Sequence, residues 1–180
     1  MQAALQLFVQ YGFHGTPTSR IAQEAGVSNG TLFHYFKTKE DLVIALYNKV
    51  KNDLSQYLLI DVDPNASVKS LFHNLFTRSL LWALDNQQAF FYIQQFHFSP
   101  HLAQLPTEVL DEQTRGHRQL IERGLLEHTL KPLPANLIYA LISSQVFGLY
   151  QYLISEPLTD AERLQVINQS ANLTWDMLKA

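Results

Sequence analysis

From Thr16 to Leu42 the chain reads TPTSRIAQEAGVSNGTLFHYFKTKEDL, and its chemistry-bearing side chains are concentrated there. Thr18, Tyr35 and Lys39 are donors suited to phosphate oxygens. Asn29 is the residue type that pairs bidentately with adenine, although it can also serve in a helix cap. Gly26-Val27-Ser28 reads as a tight turn between two short helices, with Gly26 supplying a left-handed backbone and Ser28 capping the second helix. Two short helices around such a turn are the signature of a helix-turn-helix, whose second helix enters the major groove of DNA. Asn29, Gly30, Thr31, Phe33, His34 and Tyr35 would then face outward. Gly30 would allow close approach to DNA, and Ile21, Ala22, Ala25, Val27 and Leu32 would fix the crossing of the two helices.

The surrounding elements are helical by their apolar spacing. Ala4, Leu5, Phe8 and Val9 line a first helix that stops near Gly12. Thr16 is expected to cap a helix running from Pro17 to about Ala25, with proline at its first position. Asn29 to Tyr35 forms the next. Thr38-Lys39-Glu40-Asp41 resembles a capping box and opens a long helix to about Leu58. Asp61-Val62-Asp63-Pro64-Asn65 is the best linker. Beyond it the spacing predicts helices from Val68 to Asp85, Gln87 to Phe98, Pro106 to His128, Asn136 to Ile154, and Thr159 to Leu178. The total is nine helices and no sheet.

The chain has 180 residues, of which 47% are hydrophobic and 16% charged, enough for a packed core and too apolar for disorder. It has no cysteine, which excludes disulfides, zinc-thiolate sites and a catalytic thiol. No apolar run is expected to span a bilayer and the start is not a signal peptide, so a cytoplasmic location is expected. The net charge is −3, unevenly placed. Residues 1–50 hold four Lys/Arg against three Asp/Glu, and residues 51–180 nine against thirteen. A mildly basic head on an acidic body suits a local nucleic-acid site and not a coat protein.

The segment from Gly26 through Tyr35-Phe36 to Lys39-Glu40-Asp41-Leu42 resembles the DNA-binding domain of the TetR family of bacterial transcriptional regulators. The likeness covers about residues 3–48. It implies an all-α, nine-helix architecture: a helix-turn-helix domain over 1–48, its fourth helix continuing to about 58, and a ligand-binding and dimerisation domain over 49–180. It implies phosphate contacts from Thr18, Tyr35 and Lys39. It implies base-edge contacts from Asn29, Gly30, Thr31 and His34, with Ser28 and Phe33 in the same surface and Phe36 in the core. Two departures stand out. Phe33 replaces a usual tyrosine, and the chain begins inside the first helix without the basic arm many members carry. Both predict a weaker electrostatic grip.

Residues beyond 51 include fourteen aromatics, more than one face of each helix needs. The resemblance implies a pocket in this body, for which Trp82, Tyr92, Gln95, Phe96, His97, Tyr139 and Phe147 are the candidates, with packed core as the alternative for each. The implied effector is small, apolar or aromatic. His97 and His101 stand four apart, but Ser99-Pro100 breaks the helix between them, and no metal or other cofactor is expected. Glu108, Asp111 and Glu112 with Arg115 and Arg118 read as an exposed, salt-bridged helix face. No catalytic constellation is present, so an enzyme is not expected. Ala140, Ser144, Phe147 and Gln151 on a helix apolar around its circumference, together with the stripe Leu164, Ile167, Ala171, Trp175 and Leu178, suit a homodimer interface built as a four-helix bundle. The resulting expectation is a ligand-responsive repressor on a palindromic double-stranded operator. The alternative is a helical ligand- or partner-binding protein with weakened DNA binding.

Overall fold

The structure, a computed structural model, describes residues 1–60 and 62–180; Asp61, in the expected linker, lies outside the described residues. Among them are nine α-helices: α1 Gln2–Tyr11, α2 Thr18–Glu24, α3 Asn29–Tyr35, α4 Lys39–Leu59, α5 Val68–Asp85, α6 Gln87–His97, α7 Thr107–Leu126, α8 Ala135–Ser155 and α9 Asp160–Leu178. A 3-10 turn at Pro100–Gln104 follows α6. The only extended pairing among the described residues is a single antiparallel bridge, Leu130 to Lys179.

Helix boundaries follow from local chemistry. Gly26 takes φ +68°, its N–H donates to the Gln23 carbonyl, and the Val27 N–H donates to the Ala22 carbonyl, closing α2 in a Schellman motif. The Ser28 hydroxyl accepts from the Thr31 N–H at 3.0 Å and caps α3. Thr38 and Asp41 form a reciprocal capping box at the start of α4, each side chain accepting from the other's N–H at 3.0 Å. Thr159 and Glu162 do the same for α9. Thr16 departs from expectation. It is fully buried, and its hydroxyl lies 2.8 Å from the Gly12 carbonyl and 3.1 Å from that of Leu7. Pro17, in extended conformation, holds the cap position of α2 instead. A hydroxyl shut away from water donates to the Gly12 carbonyl just past the end of α1 and is then not free for the next helix.

The chain divides into two compact units, each discontinuous in sequence: Met1–Asp53 with Asn86–Leu110, and Leu54–Asp85 with Asp111–Ala180. The 1–48 and 49–180 division follows motifs; the packing places α6 in the first unit. In that unit α1 packs on both α2 and α6. Phe8, Phe13 and Tyr92 form an aromatic cluster with ring centroids 5.4–6.2 Å apart. Tyr47 of α4 stacks on Phe96 of α6 at 3.8 Å and 10°.

In the second unit α5 packs against α8 and α9. Phe72 meets Trp175 at 5.5 Å. Arg78 of α5 closes the end of α4 by donating to the carbonyls of Tyr57 and Ile60, with its guanidinium 4.8 Å from the Tyr57 ring centre. Gly124 of α7 has the Leu130 side chain where a Cβ would stand, at 2.6 Å, so only glycine admits that contact.

α8 corrects the expectation about membrane spans. By length and composition, with mean hydropathy 1.4, it is apolar enough to cross a bilayer. Only 22% of that apolar window is buried within the chain. A windowed average finds it because Ser143, Ser144, Gln145 and Gln151 interrupt the apolar residues without outweighing them.

Candidate nucleic-acid interface

α2 and α3 pack through a small set of side chains. Ile21 and Ala22 of α2 and Leu32 of α3 are buried. Ala25 and Val27 are exposed, contrary to expectation, because the Schellman turn carries them past the last packed turn of α2. Leu32 is the only buried residue of α3. Asn29, Gly30, Thr31, Phe33, His34 and Tyr35 all face solvent, Phe33 at 41% and Tyr35 at 73% exposure. Keeping two aromatic rings at this exposure costs hydrophobic free energy that burial would have recovered, on the order of 1 kcal/mol or more each. Folding alone gives no reason for the arrangement.

Single side chains sharpen the picture. Ser28 holds the cap, and its hydroxyl also pairs with that of Thr31 at 2.9 Å. Asn29 is therefore not the capping residue, and its amide is displayed at the first position of α3. Gly30 is exposed, and a Cβ there would meet only the Ser28 hydroxyl at 3.6 Å, an ordinary contact. The fold does not require glycine at that position. His34 and Tyr35 rings meet edge to face at 5.5 Å. Lys39 is half-buried as the first residue of α4, and Thr18, also half-buried, is the first of α2. Phe36 ends α3 in extended conformation and is half-buried, less enclosed than the core position expected for it.

Sequence reasoning missed one pair. The Arg20 guanidinium sits 4.1 Å over the Tyr11 ring and donates to its hydroxyl at 2.9 Å, which fixes a cation on the exposed side of α2. Nine residues separate the two, a spacing with no periodic signal.

The pocket candidates are shared between the two units. In the first, Tyr92 and Phe96 are fully buried. The Tyr92 hydroxyl donates to the Val43 carbonyl at 2.9 Å, and burial pushes its pKa up. The Gln95 amide donates to the Phe8 carbonyl at 3.2 Å. Tyr92 and Phe96 pack among α1, α4 and α6, and Gln95 keeps a buried Oε1 without a hydrogen-bond partner. His97, half-buried at the end of α6, has its pKa lowered by burial and then by the charge of Lys51. In the second unit, Trp82 is buried in α5, Phe147 is half-buried in α8, and Tyr139 meets the His117 ring at 5.7 Å with its hydroxyl pushed up by burial.

The expected interface residues divide as well. Ala140, Ser144 and Gln151 are exposed and Phe147 is half-buried. Gly148 lies on the same face, with nothing within 4 Å of a built Cβ. On α9 the expected stripe turns inward: Ile167, Ala171, Trp175 and Leu178 are buried within the chain, and only Leu164 is exposed. α5 takes up that stripe because it supplies Phe72 at the matching height. The outer face of α9 instead shows Leu164, Leu173 and Met177. On α7, Arg115 pairs with Glu112 and Arg118 with Asp111, as the charge spacing predicted.

Comparison with known proteins gives this geometry a lineage. The profile described as "Bacterial regulatory proteins, tetR family" matches residues 1–46, and that of "Tetracyclin repressor-like, C-terminal domain" matches residues 47–180. The chain belongs to the TetR family. A solved tetR family transcription regulator from Shewanella sp. PV-4 superposes with a TM-score of 0.88 at 30% identity, covering 99% of this chain and 95% of that one. The RutR transcriptional regulator of Escherichia coli K12 is 48% identical over 50 residues, 28% of this chain and 24% of its own length. The fatty acid metabolism regulator protein of Bacillus subtilis is 33% identical over 69 residues, 38% and 36% of the two chains. The chain thus spans about a quarter to a third of the length of these two curated relatives. TetR-family regulators are DNA-binding transcriptional regulators, and the exposed face of α3 lies inside the segment that the first profile matches.

Proposed function

We propose that this TetR-family chain is a homodimeric, ligand-responsive repressor, acting in the cytoplasm, whose α3 reads a palindromic operator. The observation that carries the reading is α3 itself, a seven-residue helix with one buried residue and an outward set of amide, hydroxyl, imidazole and aromatic groups. Asn29, Gly30, Thr31 and His34 would meet base edges. Thr18, Tyr35 and Lys39 would hold phosphates, with Arg20 added as a cation already fixed in place by Tyr11. Ser28 sets the start of the helix, and Phe33 offers an apolar contact where a hydroxyl is usual.

Dimerisation is supported by the uncovered face of α8, on which Leu137, Ala140, Ser144, Gly148 and Gln151 are all exposed at helical spacing. Small residues there let two helices approach closely. Two heads in successive major grooves require recognition helices about 34–36 Å apart. A small apolar or aromatic effector bound in the body over residues 49–180 would favour a different separation and weaken operator binding by about 1–3 kcal/mol.

The test is selection of bound fragments from the source genome by the purified protein at about physiological salt. One palindromic site with a Kd near 10⁻⁸–10⁻¹¹ M is the expected result. Recovery of only sequence-blind, salt-sensitive fragments would overturn the assignment.

A further inference from the structure

The outward face of α3 is not uniform. A helix turns about 100° per residue, so the direction opposite the buried Leu32 falls between Gly30 and His34, with Asn29 and Phe33 on one flank and Thr31 and Tyr35 on the other. On the second flank the groups have partners within α3 and its cap. Thr31 Oγ1 lies 2.9 Å from Ser28 Oγ, and the Tyr35 ring meets that of His34 edge to face at 5.5 Å.

The first flank is open, and beyond Asn29 it is apolar. Phe33 is 41% exposed. Gly30 stands one turn before it. A Cβ built at Gly30 would have only the Ser28 hydroxyl within 4 Å, at 3.6 Å, so neither the Phe33 ring nor the His34 imidazole reaches that point. Nor does the backbone call for glycine, since the left-handed glycines are Gly12 and Gly26. Glycine in a helix is less stable than alanine, and here the fold gives no return for it. Side chains three residues apart on a helix stand about 5–6 Å apart at Cβ. The missing one at Gly30 leaves a notch beside the Phe33 ring about the size of a methyl group.

We propose that the Gly30–Phe33 notch receives the C5-methyl group of a thymine. The inference rests on the reading of α3 as the helix that enters the major groove, and it names what one part of that face reads. The bases display hydrogen-bond donors and acceptors in that groove, and the thymine methyl is the apolar group among them. An exposed ring beside an empty helix position offers dispersion contact and no hydrogen bond, so it complements the methyl. Asn29 shares the flank, one turn before Phe33. Four residues advance about 6 Å along a helix and one base step about 3.4 Å, so the thymine should lie within about two base pairs of the base that Asn29 reads.

The experiment starts from random DNA duplexes. Those enriched by the purified full chain are resynthesised with uracil, which lacks only the methyl group, in place of each thymine in turn. One position per half-site should lose about four-fold in affinity, the worth of one buried methyl, and the two together about sixteen-fold. Phe33→Ala should bind more weakly and no longer distinguish thymine from uracil there, while Phe33→Leu should keep part of the distinction. Gly30→Ala puts a methyl group of the protein where that of the DNA would stand. It should reverse the preference, binding the uracil duplex more tightly than the thymine duplex. Melting curves check that each variant folds. No enriched sequence, equal affinity for thymine and uracil at every position, a preference that survives in folded Phe33→Ala, or a Gly30→Ala chain weakened equally on both duplexes would overturn the proposal. Binding that ignores the methyl but falls in Asn29→Ala would remove the notch and keep α3 as the reading helix. Binding unchanged in Asn29→Ala, Gly30→Ala and Phe33→Ala alike would remove both.

Discussion

Lys39, Gly30 and Lys51 show three ways in which one residue carries information that its neighbours do not. Lys39 stands half-buried at the first position of α4. Lys39→Ala should weaken binding to all DNA sequences alike and reduce the slope of log K against log salt by about one; titrations from about 50 to 200 mM salt measure it. Gly30 has room for a methyl group, so Gly30→Ala should leave thermal stability unchanged or raise it by up to about 1 kcal/mol. The same change should cost about ten-fold or more in operator affinity, about 1.4 kcal/mol, if the backbone approaches DNA there. Lys51 makes a prediction about pH. Its folded-state pKa lies below that of the unfolded chain, so the unfolded state binds more protons between about 8 and 10.5. Stability contributed by this residue should therefore rise with pH across that window and be flat below it. Urea unfolding from pH 7 to 10 should show the rise in the native chain and its loss in Lys51→Met.

At the scale of the element, turns and caps decide where each helix can begin and end. Gly26 holds φ +68° between α2 and α3, and nothing stands within 4 Å of a built Cβ. The cost of Gly26→Ala is therefore conformational, about 1–2 kcal/mol, and not steric. It should lower Tm and weaken DNA binding together, since the same turn sets the crossing of α2 and α3; circular dichroism melts and operator titrations check both. The boundaries that sequence pattern placed correctly are those with reciprocal chemistry, Thr38 with Asp41 and Thr159 with Glu162. Thr16 was misplaced because threonine before proline looks like a cap in one dimension. In three dimensions its hydroxyl is enclosed against the end of α1.

For the whole molecule, the uncovered face of α8 is the feature with the largest consequence. Most of its apolar window lies outside the chain's own core. Gly148→Arg leaves the monomer core untouched, because the position faces open space. It should convert a dimer to a monomer in sedimentation velocity, with unchanged helical content, and reduce operator affinity at least a hundred-fold, about 2.7 kcal/mol, by removing the second half-site contact. A wild-type chain that sediments as a monomer at micromolar concentration would contradict the proposed interface.

The amino-acid sequence alone determined the helical class, the helices among the described residues and the outward face of α3. Those depend on short-range physics: apolar spacing near 3.6, caps three residues apart, and a glycine turn. Gly26, Ser28 and the outward set from Asn29 to Tyr35 were legible for that reason. Tertiary structure decided what each apolar stripe packs against. The stripe Ile167, Ala171, Trp175 and Leu178 looks the same in sequence whether a partner chain or α5 covers it, and α5 does. Nothing in the sequence told that the Tyr92 hydroxyl would donate to the backbone of α4 and the Gln95 amide to that of α1. The Arg20–Tyr11 pair joins residues nine positions apart, a separation at which periodicity carries no signal and only packing brings side chains together.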